Sequence, residues 1–176
     1  MGAPTITQPG GANTLPLTIA RTTTDGKFQL NQTFDWDTLK KEVTVAMVLK
    51  NTSGLSQANV QLARYFDGDL SNDFGDDIYD ANADSVWGLD GSYGSGAGHH
   101  GLMLTTLSFA QPHSVAIEKY SDWDPLGSSQ QRARSCLGIR QIGPTAPGNY
   151  VGRITFNLGT IAAGGTKTII VLYKRF

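Results

Sequence analysis

The sequence is short of charge, of cysteine and of long apolar runs, and each shortage excludes a class of protein. Only 16% of the 176 residues are charged, against about 25% in soluble domains, and the formal net charge is -1. A chain so close to neutral has no general attraction for nucleic acid or for anionic membranes, and we expect neither as a partner. Cys136 is the single cysteine, which excludes an intrachain disulfide.

The absence of long apolar stretches also bears on location. No segment is long and apolar enough to predict insertion into a membrane. The first residues have no basic segment and no apolar run, so they do not form a signal peptide. A cytoplasmic protein and a mature extracellular or cell-surface segment without its leader both stay open. The abundance of glycine (21 residues), threonine, serine and asparagine favours the extracellular location.

What the sequence does contain is alternation of apolar and polar residues, with the period of two that is typical of β-strands. Residues 43–50 and 59–66 each show this period, and the turn residues NTSG lie between them. We therefore expect these two segments to form one antiparallel hairpin. Residues 168–173 are apolar on both faces, which predicts a central strand covered on both sides.

About eight such strands, short turns and two long loops predict an all-β protein, a single-domain two-sheet antiparallel β-sandwich of Ig-like or jelly-roll type. The long loops are expected at 67–100, which is acidic, and at 121–149. Residues 1–12 form an extended N-terminal arm ahead of a sandwich domain at 13–176. This arm is a candidate for self-association with a neighbouring copy.

Seven aspartates between Arg64 and Gly88 form the most acidic segment of the chain: Asp67, Asp69, Asp73, Asp76, Asp77, Asp80 and Asp84. Calcium takes six to eight oxygen ligands, and acidic loops supply them from alternate positions. We predict a calcium site with Asp67, Asp69 and Asp73 as ligands, completed by Asp76 or Asp77. The EF-hand pattern is not met. The alternative is a solvated loop whose aspartates cap turns, with Arg64 offsetting one or two carboxylates.

Aromatic residues beside acids form the second candidate site. Exposed aromatic rings stack on the CH face of a pyranose, and neighbouring carboxylates bind its hydroxyls. Trp36 and Trp123 each lie in an Asp-Trp-Asp triplet, and Trp87 and Tyr93 lie in or just after the acidic segment. The predicted polysaccharide- or glycan-binding residues are Trp36, Trp87, Tyr93, Asp122, Trp123 and Asp124. The alternative is that the tryptophans anchor the core.

Catalytic motifs are weak. His99, His100 and His113 lack the spacing of a zinc site, and no nucleophile motif is present. The leading hypothesis is a non-catalytic extracellular ligand-binding sandwich, with carbohydrate as the ligand and calcium ordering the acidic loop. One alternative is a structural, self-assembling subunit of a surface layer, fibre or particle. The other is a small polysaccharide-active enzyme that depends on a metal or on carboxylates.

Two segments resemble a known family. VTVAMVLKNTSG, and NLGTIAAGGTKTIIVLYKRF at the end of the chain, are similar to bacterial Ig-like extracellular surface modules. The resemblance covers Glu42–Phe66 and Tyr150–Phe176 and consists of structural motifs. It implies a β-sandwich in an extracellular setting. Because such modules serve as spacers, adhesion units and carbohydrate-binding units, it selects no activity.

Overall fold

The computed structural model describes residues 1–67, 78–89, 101–119, 145 and 147–175. Within these ranges the chain forms strands and turns, with no helix, so no helix long and apolar enough to cross a membrane is present there. The strands are β1 (Thr5–Thr7), β2 (Leu17–Thr22), β3 (Phe28–Asp37), β4 (Glu42–Asn51), β5 (Gln57–Phe66), β6 (Ile78–Ala81), β7 (Ser85–Leu89), β8 (Gly101–Thr106), β9 (His113–Lys119), β10 (Tyr150–Ile161) and β11 (Thr166–Arg175).

The strands form two antiparallel sheets, as the all-β sandwich prediction requires. The large sheet has the order β1-β2-β3-β4-β11-β8-β7-β6, and the small sheet has the order β5-β10-β9. β4 and β11 pair with each other at the centre of the large sheet, Val45 opposite Val171, which confirms both predicted central strands. We call the face that each sheet turns toward the other its inner face.

The core lies between the inner faces. Val45 and Val171 of the large sheet are fully buried, and so are Ile154 and Phe156 of the small sheet. All four belong to one cluster of apolar side chains. Full burial of an aliphatic or aromatic side chain contributes about 1.5–3 kcal/mol, so this cluster is the main stabilising feature. The alternating apolar residues of β4 are the ones that face this core.

The predicted hairpin between residues 43–50 and 59–66 is wrong. β5 leaves the large sheet and pairs with β10 in the small one. The physical reason is the buried side chain of Asn51, whose Nδ2 donates to the carbonyl oxygens of Leu55 (2.8 Å), Ile161 (2.9 Å) and Ala162 (3.1 Å). Asn51 thereby joins the chain after β4 to the β10–β11 turn, and NTSG becomes a corner between sheets.

Two other expectations need correction. The segment 67–100, predicted as a loop, contains β6 and β7, which form the outer end of the large sheet. In β11, Ile169 and Val171 are buried on the inner face, whereas Ile170 and Leu172 are only half-buried. β11 is therefore central in its sheet but not fully covered on both faces.

The small sheet covers only part of the large one. Its strands contact β7, β8, β11 and β6, whereas Ile6 of β1 and Trp36 of β3 are exposed. Trp36 pairs with Val43, which shares a face with the buried Val45. Since paired residues point to the same face, Trp36 lies on the inner face of the large sheet, in a part that none of the described strands of the small sheet covers.

Candidate ligand-binding surface

The turn between β3 and β4 is held by one carboxylate. Asp37 Oδ1 accepts hydrogen bonds from the backbone N–H groups of Leu39 and Lys40, both at 3.1 Å, and its Oδ2 lies 3.2 Å from Lys40 Nζ. The hydrogen bond from the backbone N–H of Lys40 is the main cause of a lowered pKa for Asp37. Asp37 therefore remains ionised and fixes the turn that follows Trp36.

The indole of Trp36 is the most prominent aromatic group of this region, with 54% of the residue exposed. β2 pairs with β3 only as far as Phe34, so residues 35–37 form a free edge of the large sheet. The depression extends around this free edge. It is therefore bordered by neighbouring residues whose side chains point to opposite faces of the sheet. The depression measures about 370 Å³ and is lined by Asp35, Trp36, Asp37, Thr38, Leu39 and Thr44.

Of the carboxylates beside the indole, Asp35 has the most unused hydrogen-bond acceptor sites. Within the described part of the chain, its side chain accepts one hydrogen bond, at 2.9 Å from the backbone N–H of Trp36. A carboxylate offers about four acceptor sites, so most of those on Asp35 face solvent. The depression thus combines an open apolar ring, an available acceptor and the 94%-exposed Leu39.

Behind the depression, Arg64 of β5 joins the two sheets. Its Nε donates to the hydroxyl of Tyr173 at 2.6 Å, and its Nη1 donates to Oε1 of Gln32 at 2.9 Å. Its guanidinium carbon also lies 5.7 Å from the ring centre of Phe34 and 5.2 Å from that of Tyr173, within the range of cation–π attraction. Tyr173 in turn donates to the carbonyl oxygen of Tyr65 at 2.8 Å.

This cluster supports the strand that carries Trp36, because Gln32 and Phe34 precede it on the same face of β3. Arg64 was a candidate partner for the acidic segment, and among the described residues its side chain donates to Gln32 and Tyr173. Sequence reasoning missed the roles of Gln32 and Tyr173. The available signal was Arg64 itself, a charged residue at an apolar position of an alternating strand.

The remaining predicted site residues do not gather at Trp36. Trp87 pairs with Met103, one position away from the inner-facing pair Val86 and Leu104, so it lies on the outer face. Trp36 and Trp87 are therefore on opposite faces of one sheet and cannot form one aromatic platform. Asp67 is exposed at the end of β5. Asp69, Asp73, Asp76, Asp77, Tyr93, Asp122, Trp123 and Asp124 lie outside the described residues, and no metal-ligating cluster of three side chains occurs inside them.

His113 is the one histidine in the described ranges, and its ring is already engaged. Nε2 lies 3.0 Å from Asp84 Oδ1, and Nδ1 lies 2.7 Å from the carbonyl oxygen of Gln111. Both ring nitrogens thus have an oxygen neighbour within the protein. His113 ties β9 of the small sheet to the β6–β7 turn of the large sheet.

Comparison with known proteins supports the fold. No family model matches the chain, and no curated protein sequence matches it. A solved structure that does match is a bacterial glucoamylase in complex with acarbose, with a TM-score of 0.64 over 98% of this chain at 11% identity. This chain spans 23% of the length of that protein. At this identity the likeness shows the fold alone, and the resemblance to Ig-like modules likewise extends only to antiparallel sheets.

Proposed function

We propose that the protein is a non-catalytic carbohydrate-binding β-sandwich that holds a neutral glycan on the indole of Trp36. The observation that carries this proposal is the exposed Trp36 beside Asp35, at the free edge of the β3–β4 hairpin. The ring offers a flat apolar face to the CH groups of a sugar, and the carboxylate accepts hydrogen bonds from its hydroxyls.

The charges around Trp36 indicate a neutral ligand. Asp35, Asp37 and Glu42 all lie within eight residues of one another. The three carboxylates are matched by three lysines, of which Lys40 pairs with Asp37 at 3.2 Å and Lys174 pairs with Glu42 at 3.1 Å, while Lys41 lies in the same turn. The surface is thus close to neutral overall, and the carboxylate of Asp35 offers acceptors to hydroxyl groups.

Binding fits this surface better than cleavage does. A glycosidase needs one carboxyl group that stays protonated near neutral pH, which requires a raised pKa. The pKa of Asp37, which lines the depression, is lowered instead. The similar fold of a glucoamylase solved with acarbose makes a carbohydrate ligand a natural class to test, although this chain spans 23% of that protein.

Two related predictions accompany this proposal. An extracellular or cell-surface location would bring the protein to polysaccharides. Calcium binding at Asp67 and the acids that follow it would order the acidic segment, and the glycan surface at Trp36 does not depend on it.

The proposal is tested by replacing the stacking ring. We expect Trp36→Ala to weaken binding to a neutral polysaccharide about 30-fold, because stacking residues of this kind are worth ~2 kcal/mol or more. The measurement is titration calorimetry against soluble starch, β-glucan and mannan, with polygalacturonate as the acidic comparison. The free energy of unfolding should change by less than about 0.5 kcal/mol, since the side chain is exposed.

Leu39→Ala is the matched control, because it removes exposed apolar area from the same depression without removing a ring. It should leave affinity nearly unchanged. Equal binding by the wild type and Trp36→Ala, or binding to none of the neutral polysaccharides, would contradict the proposal.

A further inference from the structure

A cavity of about 310 Å³ lies at the end of β3 opposite to Trp36. Residues 57–62 of β5 line one side of it, and Phe28, Leu30 and Leu49 of the large sheet line another. Its whole lining belongs to the described part of the chain, within which β5 pairs with β10 and with no other strand. Phe28 and Trp36 are eight positions apart on β3, or about 27 Å, so the cavity is separate from the glycan surface.

The floor of this cavity is apolar. Leu30 and Leu49 pair with each other across β3 and β4, and each is only 6% exposed. Val60 and Leu62 of β5 are half-buried and pack against the same core cluster. No side chain of the fully described lining is charged. The volume lies at the lower end of the range of small-molecule sites, and an apolar group that enters this cavity is removed from water.

Two cations flank the apolar floor on the inner face of the large sheet. Arg21 of β2 pairs with Leu30, and Lys167 of β11 pairs with Leu49, so the two leucines lie between two positive side chains. Arg21 is exposed and Lys167 is half-buried. Among the described residues neither side chain has an ion pair with a carboxylate, so both charges are available to an anionic ligand.

The wider surroundings of the cavity are also positive. At this end of the sandwich the chain turns from β2 to β3, from β4 to β5 and from β10 to β11, and with the adjoining strand ends these turns span residues 21–29, 49–62 and 159–168. They contain four bases and one acid, namely Arg21, Lys27, Lys50, Lys167 and Asp25. Asp25 lies 3.8 Å from Lys27. A carboxylate that approaches the cavity therefore meets net positive charge, and an ammonium group is repelled.

We propose that this cavity binds an amphipathic anion, a monocarboxylate with an unbranched tail of about ten carbons. The tail lies on Leu30 and Leu49, and the carboxylate binds Arg21, whose guanidinium can donate two parallel hydrogen bonds to it. One carboxylate suffices because Arg21 is the exposed cation of the pair. The tail length follows from the volume, since 310 Å³ holds about ten water molecules of ~30 Å³ and a methylene group is of similar size.

A small ligand fits this cavity better than an additional β-strand does. The free side of β5 would be the place for such a strand, but β5 is irregular here. Asn59 has a φ of 55°, and the register of β10 against β5 shifts at Gly159. Irregularities of this kind protect an edge strand from pairing with another chain.

The experiment compares three probes with the same tail and different heads, namely sodium decanoate, 1-decanol and decylammonium chloride, all below the concentration at which micelles form. Calorimetry measures affinity, and heteronuclear NMR locates the bound probe. We expect saturable binding of one decanoate per chain, with shifts at residues 57–62, and about tenfold weaker binding of decylammonium. Sodium hexanoate should bind roughly 100-fold more weakly, because four fewer methylene groups leave water.

Three variants test the residues. Arg21→Gln should weaken binding of decanoate about two- to fivefold and leave binding of decanol unchanged, as expected for the loss of one exposed ion pair. Lys50→Gln is the matched control, because it removes an equal charge from the same end of the molecule but next to Leu49 in β4, and therefore on the outer face. Ala58→Phe adds a ring to the lining at an exposed position and should abolish binding of decanoate and decanol alike.

The proposal is independent of the glycan surface, so Trp36→Ala should leave decanoate binding unchanged and Arg21→Gln should leave polysaccharide binding unchanged. It is overturned if decanoate does not bind, if decanol or decylammonium binds as tightly, or if Arg21→Gln and Lys50→Gln have equal effects. NMR shifts confined to the depression at Trp36 would also overturn it. So would a dimer, seen by light scattering without any probe, whose formation protects the amides of residues 57–62, because a second copy would then occupy the cavity.

Discussion

At the scale of single residues, the contacts of Arg64 explain why a charged side chain lies among the apolar positions of β5. The guanidinium of Arg64 donates to a hydroxyl and to an amide oxygen, and it lies beside two aromatic rings. These groups take the place of the water that would otherwise stabilise its charge. The hydroxyl of Tyr173 takes part twice, accepting from Arg64 and donating to Tyr65. Tyr173 thus links the two sheets through Arg64 and Tyr65.

Tyr173→Phe tests this link. Because it removes two hydrogen bonds, one of them to a charged group, we expect a loss of about 1–3 kcal/mol in the free energy of unfolding. Urea unfolding at pH 8 measures it. Tyr150→Phe is the control, a half-buried tyrosine on the small sheet. Equal stability of Tyr173→Phe and the wild type would show that the hydroxyl does not join the sheets.

The same residue predicts a dependence on alkaline pH. Burial is the main cause that raises the pKa of Tyr173 above 10.0, and Arg64 acts in the opposite direction. The fold therefore favours the neutral phenol, and this stabilisation is complete below pH 10 and is lost as pH rises from 10 through the raised pKa. Between pH 8 and pH 10.5, stability should fall more in the wild type than in Tyr173→Phe.

At the scale of the elements, two glycines of β10 are required for different physical reasons. At Gly152 a Cβ atom would lie 2.6 Å from Cγ2 and 2.8 Å from Cγ1 of Val86, so the small sheet approaches β7 closely only because this position has no side chain. At Gly159, where β10 changes register against β5, φ is +65° and a Cβ atom would meet nothing within 4 Å. The first glycine is required for packing, the second for backbone conformation.

A pair of substitutions separates these roles. Gly152→Ala should destabilise the protein by about 1–3 kcal/mol through overpacking, and adding Val86→Ala should recover part of that loss by making room. Gly159→Ala should cost about 1–2 kcal/mol, and Val86→Ala should not reduce this cost. The measurement is a double-mutant cycle in urea unfolding. Strict additivity of Gly152→Ala and Val86→Ala would mean that the two groups do not collide.

At the scale of the whole molecule, the sequence predicts the two-sheet architecture better than it predicts which strands pair with each other. Alternation reveals which residues face the core, so the sandwich and its central strands β4 and β11 could be predicted. It does not reveal which strand pairs with which, and β5 changes sheets because Asn51 bonds to a turn more than 100 residues later. Local patterns carry no information about such a contact.

The same difference between local patterns and contacts of distant residues applies to the candidate site. Trp36 could be found because an aromatic residue between two aspartates is a local pattern, and the structure places it at an exposed edge. The role of Tyr173 could not be found, because Arg64, which donates to its hydroxyl, lies 109 positions earlier in the chain.

The N-terminal arm gives the last prediction. Thr5–Thr7 pair with β2 of the same chain, and the backbone N–H of Gly2 donates to the carbonyl oxygen of Thr22 at 2.8 Å. The arm is thus held without a neighbouring copy, and it covers the edge of β2, whose Ile19 faces the open part of the inner face. Uncovered edges of this kind promote pairing between molecules.

Deletion of residues 2–12 should therefore lower the melting temperature by only about 2–4 °C, as a loss near 1 kcal/mol does in a domain of this size. It should also raise the mass measured by light scattering, because the longer edge of β2 becomes free to pair. Deletion of residues 2–4 alone, which retains Thr5–Thr7, is the control and should leave the mass unchanged. A full-length oligomer whose mass falls when residues 2–12 are removed would instead mean that the arm mediates assembly, since only a contact between copies could be lost in that way.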